Sequence, residues 1–317
     1  MPDIFLHMIV PETITDSVFT SSSVPETDYA AWLTATIYAV GDTRIMVSAN
    51  IHWVIQCIQA HTSSTGSAND PLKDINRVSG AGLFWLRVSA TNKWKVTDQK
   101  ISDQCAFVGS IDNLFTAPKA AMAAALFNLT ANSVKITVTD PATSLIRTAR
   151  TRTAIDDAAT VDWYSYFYAP IEYRSEILLP DLPIYSGDTV RFEVYGLPTN
   201  KVGQIIFGRD ITIGKGLFPA GVGIIDYSTK DTDTFGNRYI TPRAFASRAE
   251  YKAVIASNEA NRVKKQLAAV RSTPVVFYTH TVDNLYGTMV YGYVKSFDIN
   301  EIAPSVAYVS IQVEGLT

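Results

Sequence analysis

The 317-residue chain sets 27 Lys and Arg against 30 Asp and Glu, a net charge of −3 at pH 7, and so lacks the basic excess that general binding to nucleic acid or anionic membranes requires. At about 150 residues per domain it is long enough to bury two or three cores. Only 18% of its residues are charged while 47% are hydrophobic, which leaves apolar surface for other protein to cover and points toward assembly.

The first residues, Met1 to Glu12, carry an apolar stretch from Ile4 to Val10 with no basic region before it and no small-residue cleavage site, so no secretory signal is expected. Thr13 to Glu26 is rich in Thr, Ser and Pro, and residues 1–28 read as a flexible arm. Residues 29–100 hold four of the five tryptophans, Trp32, Trp53, Trp85 and Trp94, with Tyr38 and Phe84 and a polar loop from Thr62 to Asp74. The runs Arg44 to Val47 and Trp53 to Ile58 predict strands there, in a small aromatic-rich β module.

Residues 101–213 read as strand after strand, with a helix only at Ala120 to Leu126. That segment is the longest apolar run and falls far short of the roughly 20 residues of a membrane helix, so no membrane insertion is expected. Val134, Ile136 and Val138 alternate with Lys135, Thr137 and Thr139, the period of a half-buried strand. Trp163 to Tyr168, Glu176 to Leu179 and Thr189 to Tyr195 follow as strands, with turns at Pro170, Pro180, Pro183 and Ser186-Gly187-Asp188. The spacing predicts a β-sandwich, jelly-roll-like.

Residues 214–317 read as an α+β domain. Ala249, Tyr251 and Ala253 alternate with Arg248, Glu250 and Lys252. A helix then starts at Ser257 or Asn258 as its cap, with Ala260, Val263, Leu267 and Val270 as its apolar stripe and Pro274 after its end. Val275 to Tyr278, Met289 to Ile299 and Val306 to Val313 read as strands, and a right-handed β-α-β crossover is expected if the strands flanking the helix are parallel in one sheet. The fold class expected for the whole chain is mainly β.

Motifs for catalysis are missing. There is no G-x-S-x-G elbow, no H-E-x-x-H, and no P-loop, since Gly214-Lys215-Gly216 lacks the following Ser or Thr; Gly221-Val222-Gly223 lacks a third glycine at Asp226. His7, His52, His61 and His280 show no triad spacing, so no enzyme activity and no cofactor are expected. His52, Cys57 and His61 with Cys105 offer zinc two imidazoles and two thiolates, yet not at the spacing of a ribbon or finger. Cys57 is read as a core residue and no metal is expected; two cysteines also suit a reducing cytoplasm. A calcium loop starting at Asp231 would put Phe235 fifth and Pro242 last, which excludes an EF-hand and leaves a polar loop. Arg147, Arg150 and Arg152 with Lys135 form either a solvated sheet face or a salt-bridge rim between subunits.

Trp32, Tyr38 and Trp53 are the candidate carbohydrate-binding residues, because sugars lay their C–H faces on flat aromatic rings. The opposing reading is that a module of about seventy residues needs such rings to build any core. Ala31-Trp32, Tyr38-Ala39-Val40-Gly41-Asp42, Ile45 and Trp53 resemble the small chitin-binding type of carbohydrate-binding module, a resemblance that implies sugar binding by this module.

A second resemblance covers nearly the whole chain from about Tyr29 onward. It rests on Ala90-Thr91-Asn92-Lys93-Trp94-Lys95-Val96-Thr97-Asp98, Val161-Asp162-Trp163-Tyr164-Ser165-Tyr166-Phe167, Asp181-Leu182-Pro183, Asp226-Tyr227-Ser228, Asp233-Thr234-Phe235-Gly236 and Val313-Glu314-Gly315-Leu316-Thr317. In this order they resemble a family of tailed-bacteriophage tail proteins, described as carbohydrate-binding or tail-tip structural proteins. The resemblance implies a virion structural protein of the distal tail, tip or baseplate, assembled in the host cytoplasm as a homo-oligomeric trimer or ring around the tail axis. Fibres or other tip proteins would be its partners, the arm would order on a neighbouring subunit, and no catalytic residue is carried over. The alternative is a receptor-binding protein that grips host cell-surface glycan through the aromatic module.

Overall fold

The computed structural model describes residues 4–75, 82–156, 162–280 and 288–317. The chain begins with strands β1 (Phe5–Pro11) and β2 (Phe19–Ser22). The aromatic module follows, with β3 (Ile37–Tyr38), β4 (Thr43–Met46), β5 (Trp53–Cys57), β6 (His61–Thr62), the one-turn helix α1 (Pro71–Asp74) and β7 (Trp85–Ala90). Next come β8 (Cys105–Val108), β9 (Ile111–Thr116), β10 (Ala123–Phe127), β11 (Ser133–Asp140), β12 (Leu145–Thr153) and β13 (Ile155–Asp156). Helix α2 (Trp163–Tyr168) leads to β14 (Glu172–Tyr173), β15 (Ile177–Leu179), β16 (Thr189–Tyr195) and β17 (Thr199–Val202). The last part holds β18 (Gln204–Asp226), β19 (Thr229–Thr232), β20 (Arg238–Thr241) and β21 (Phe245–Ala256). Helix α3 (Ala260–Ala269), β22 (Val275–His280), β23 (Val290–Ala303) and β24 (Val306–Gly315) complete it. The fold is mainly β, as the alternation predicts.

Alternation builds the sandwich. Val134, Ile136 and Val138 all face inward from β11, the middle of an antiparallel pair with β12 on one side and β16 on the other. The full sheet runs β12-β11-β16-β9-β2. Its inner face packs on Ala124 and Leu126 of β10, Ile177 and Leu179 of β15, and Ile205 and Phe207 of β18. The second layer is therefore borrowed from a larger sheet and is not a self-contained half of a jelly roll.

That larger sheet closes on itself. Its order is β1-β22-β23-β24-β21-β18 with β18 paired back to β1, every pair antiparallel, so six strands form a barrel. Leu6, Met8, Ile213, Tyr251, Phe277 and Ile311 share the barrel core. Helix α3 adds Val263 and Leu267 to the same core, with Val270 at its C-cap, so the apolar stripe read from sequence packs on the barrel. A closed sheet removes the free edges that invite uncontrolled pairing.

β18 ties the two layers together. Gly208 pairs with Ala123 of β10 on one edge and with Pro11 of β1 on the other. A Cβ at Gly208 would stand 1.9 Å from the Val10 carbonyl oxygen, so the close approach of β1 requires glycine here.

Several expectations are corrected. Residues 1–28 are not a flexible arm over their described part: Leu6 and Met8 give β1 a barrel-facing side, and Phe19 anchors the polar β2 between Trp94 and Phe115. Ala120 to Leu126 is not a helix, since β10 is buried at all five positions with apolar groups on both faces, a situation that erases alternation. Trp163 to Tyr168 is helix α2 and not a strand. The boundary between 213 and 214 falls within β18, and the C-terminal unit takes its sixth strand from the N-terminus. The strands flanking α3 run antiparallel, with β24 and β23 between them, so no parallel crossover forms. Neither Ser257 nor Asn258 caps α3, because residues 257–259 form a 3-10 turn before it.

Candidate functional site

The aromatic module folds around its own rings. Tyr38, Met46, Ile55, Cys57, Ile75 and Trp85 form its core, with Trp32 and Trp53 packed against it. The three candidate sugar-binding residues are thus brought together, but not as a platform. Tyr38 is only 1% exposed; its hydroxyl accepts the Leu33 N–H at 2.9 Å and donates to the Leu33 carbonyl at 3.1 Å, and its ring meets Trp85 edge-on at 5.1 Å. Tyr38 is a core residue, as a small module short of aliphatic bulk demands. Trp53 is half-buried with the Arg87 guanidinium 4.3 Å above its ring. Trp32 is half-buried, and its Nε1 has no hydrogen-bond partner among the described residues.

A buried carboxylate holds this module shut. Asp74 is wholly buried and accepts backbone N–H groups from Leu83 at 2.9 Å and from Phe84 and Trp85 at 2.8 Å. Asp70 caps α1 by accepting the Leu72 N–H at 3.0 Å.

The metal-type residues are dispersed. Cys57 belongs to the module core and Cys105 to the sandwich core. Burial raises both thiols, that of Cys105 to about 12, so both stay protonated at neutral pH. Cys57 Sγ lies 3.8 Å from His61 Nδ1, while buried His52 puts Nδ1 2.9 Å from a Glu26 carboxylate oxygen that also accepts from Thr91 Oγ1. No group of three or more His, Cys, Asp or Glu among the described residues is arranged to hold a metal ion. Asp233 serves a turn, accepting the N–H groups of Phe235 and Asn237 at 2.9 and 2.8 Å. Of the arginine run, Arg147 pairs with Asp188 at 2.9 Å and Asp140 at 3.0 Å, and Arg150 donates to the carbonyls of Pro180 and Asp181.

The surface features that sequence reasoning missed are apolar. Helix α2 places Trp163, Tyr164, Tyr166, Phe167 and Tyr168 within six residues, each 66–79% exposed. A helix that is apolar on every side is ordinarily buried. The density of rings was the available signal: five aromatics in six positions cannot all face one core on any regular element. A second set lies on the hairpin of β19 and β20 and its root, where Ile224, Phe235, Tyr239, Ile240 and Phe245 are exposed.

At the root of that hairpin, a cleft of about 390 Å³ opens among the sandwich, the barrel and the chain's last residues, lined by Phe127, Phe245, Met289, Tyr291, Leu316 and Glu176. It adjoins a second cleft of about 340 Å³ that shares Glu176 and adds Asp156, Tyr173 and Arg174. Burial alone pushes the Glu176 carboxyl up to about 7. Desolvation without a compensating donor is the physical cause.

Compared with known proteins, the chain matches no family model and no curated protein.

Proposed function

We propose that this protein is a structural subunit of a bacteriophage tail, at the distal tail, tip or baseplate, which works by packing against copies of itself and neighbouring tail proteins. The single observation that carries this reading is helix α2, with its five exposed rings. At ~150–250 Å² of buriable area per aromatic side chain, rings exposed to this degree offer roughly 500–900 Å². A stable interface buries ~800 Å² on each partner. The resemblance of the chain to tail proteins supplies the setting, and the closed barrel supplies a rigid body on which such a surface can be held. Tail parts repeat around an axis, and repetition of that kind covers apolar patches of one subunit with patches of the next.

The experiment is localisation. Antibody raised against the purified chain, carried on gold and imaged on phage particles that encode it, is expected to decorate the distal end of the tail. Label absent from particles, or confined to the head, overturns the reading.

A further inference from the structure

Glu176 is physically anomalous. Its side chain is half-buried where two clefts meet, and among the described residues its carboxyl has neither a hydrogen-bond donor nor an ion-pair partner. Arg174, in the adjoining cleft, is bound to Asp156 at 3.4 Å. An unpaired carboxyl in an apolar setting costs free energy until something supplies a cation or a donor. The complement is therefore a cationic group carried among apolar ones.

The same chain displays such a group. Arg238 opens β20, exposed and with no ion pair among the described residues, while Ile240 lies two residues along on the same face of the strand and Phe235 stands at the turn, 89% exposed. The hairpin is held in register by pairs from Thr229↔Thr241 to Thr232↔Arg238. The cleft is at its root, at Ala244 and Phe245. Six residues separate Arg238 from Ala244, up to roughly 20 Å in extended chain. A paired ladder that leads away from its root cannot return its tip there without breaking, so the tip is out of reach of its own cleft.

We infer that the tip of the β19–β20 hairpin of one copy seats in the Glu176 cleft of a second copy, with Arg238 pairing to Glu176 and the neighbouring apolar side chains entering among Phe245, Met289 and Leu316. Each copy offers one tip and one cleft, so the contact closes a pair where two copies exchange tips and propagates to a ring or a file where they do not. The occupant matches in sign and in polarity, a cation with apolar flanks against a carboxylate with apolar walls. This inference rests on the reading of the chain as a self-associating tail subunit.

The test is charge exchange in the full chain, read as the concentration at which it associates in sedimentation velocity. Glu176→Arg and Arg238→Glu are each expected to raise that concentration about tenfold or more, and the double variant to restore most of the loss. If a single variant fails to fold, as judged by circular dichroism, the two sites are probed by mixing Glu176→Cys protein with Arg238→Cys protein under mild oxidation. A disulfide-linked pair containing one of each is expected, since the native thiols are buried. Association of the wild type that neither exchange alters, or no mixed disulfide, overturns the hairpin-in-cleft contact and leaves assembly through α2 standing. A wild type that stays monomeric at every concentration overturns self-association and this contact together.

Discussion

Asp74 shows how much one side chain decides in a small module. Three charge-assisted bonds from consecutive backbone N–H groups converge on it, and its removal strands those donors in a buried setting. At ~1.5–3 kcal/mol per hydrogen bond to a charged group, Asp74→Ala is expected to destabilise the chain by about 3 kcal/mol or more, read from the urea midpoint. Gly82→Ala tests the same nest from outside, because its Cβ would fall 2.1 Å from the Asp74 carboxylate; a loss of similar size is expected, and unchanged midpoints in both variants would contradict this role. Tyr38→Ala is expected to loosen the module for the same reason that it fails as a sugar platform: its ring is core, and deletions of large buried rings cost ~3–5 kcal/mol.

Acidic groups also set a pH dependence. Burial raises Glu176 and Asp98 to about 7 from ordinary values near 4.5 and 3.8. Between those limits the folded chain holds protons that the unfolded chain has released, so the contribution of these groups falls as pH rises from about 4 to about 7 and then levels. Glu176→Gln is expected to flatten that slope, measured as midpoints across pH 4 to 8. A slope unchanged by the substitution would show that Glu176 is not desolvated.

At the scale of elements, β18 is the part on which both cores depend. Gly208→Val is expected to cost more than about 3 kcal/mol and to disturb sandwich and barrel at once, since β1 and β10 meet β18 at this residue. Loss of amide protection in only one layer on hydrogen exchange would contradict the shared-strand account. Legibility in the sequence followed physical setting. Strands with one wet face declared themselves: β11, β16 and β24 alternate cleanly, and β16 occupies the segment expected for it. β10 did not, because a strand buried on both faces has no alternation and its alanines favour helix in isolation. α2 did not, because aromatic residues lean toward strand while their surroundings here provide no partner strand. β1 was hidden by distance, its neighbours lying about two hundred residues away in β18 and about 270 away in β22. Of the candidate site, Trp32, Tyr38 and Trp53 were legible as a cluster, but not which way their faces point, since that is fixed by Arg87 and Trp85 from across the module. Glu176 was silent, because nothing in its immediate sequence announces desolvation by Met289, Tyr291 and the C-terminal residues.

For the whole molecule, low charge and exposed rings belong together. A barrel and a sandwich joined through one strand make a rigid body, and the aromatic rings left exposed are densest on α2 and on the hairpin. Such patches on a subunit of 34.8 kDa favour association, with the contribution growing with apolar area removed from water. The direct measurement is molar mass by light scattering on the purified full chain across a concentration series, beside a variant in which Trp163, Tyr164, Phe167 and Tyr168 are all changed to Ser. A mass that climbs above 34.8 kDa is expected for the wild type, with the climb displaced to concentrations about tenfold higher or more for the variant, whereas monomer in both, or the same climb in both, would contradict a role for α2 in assembly.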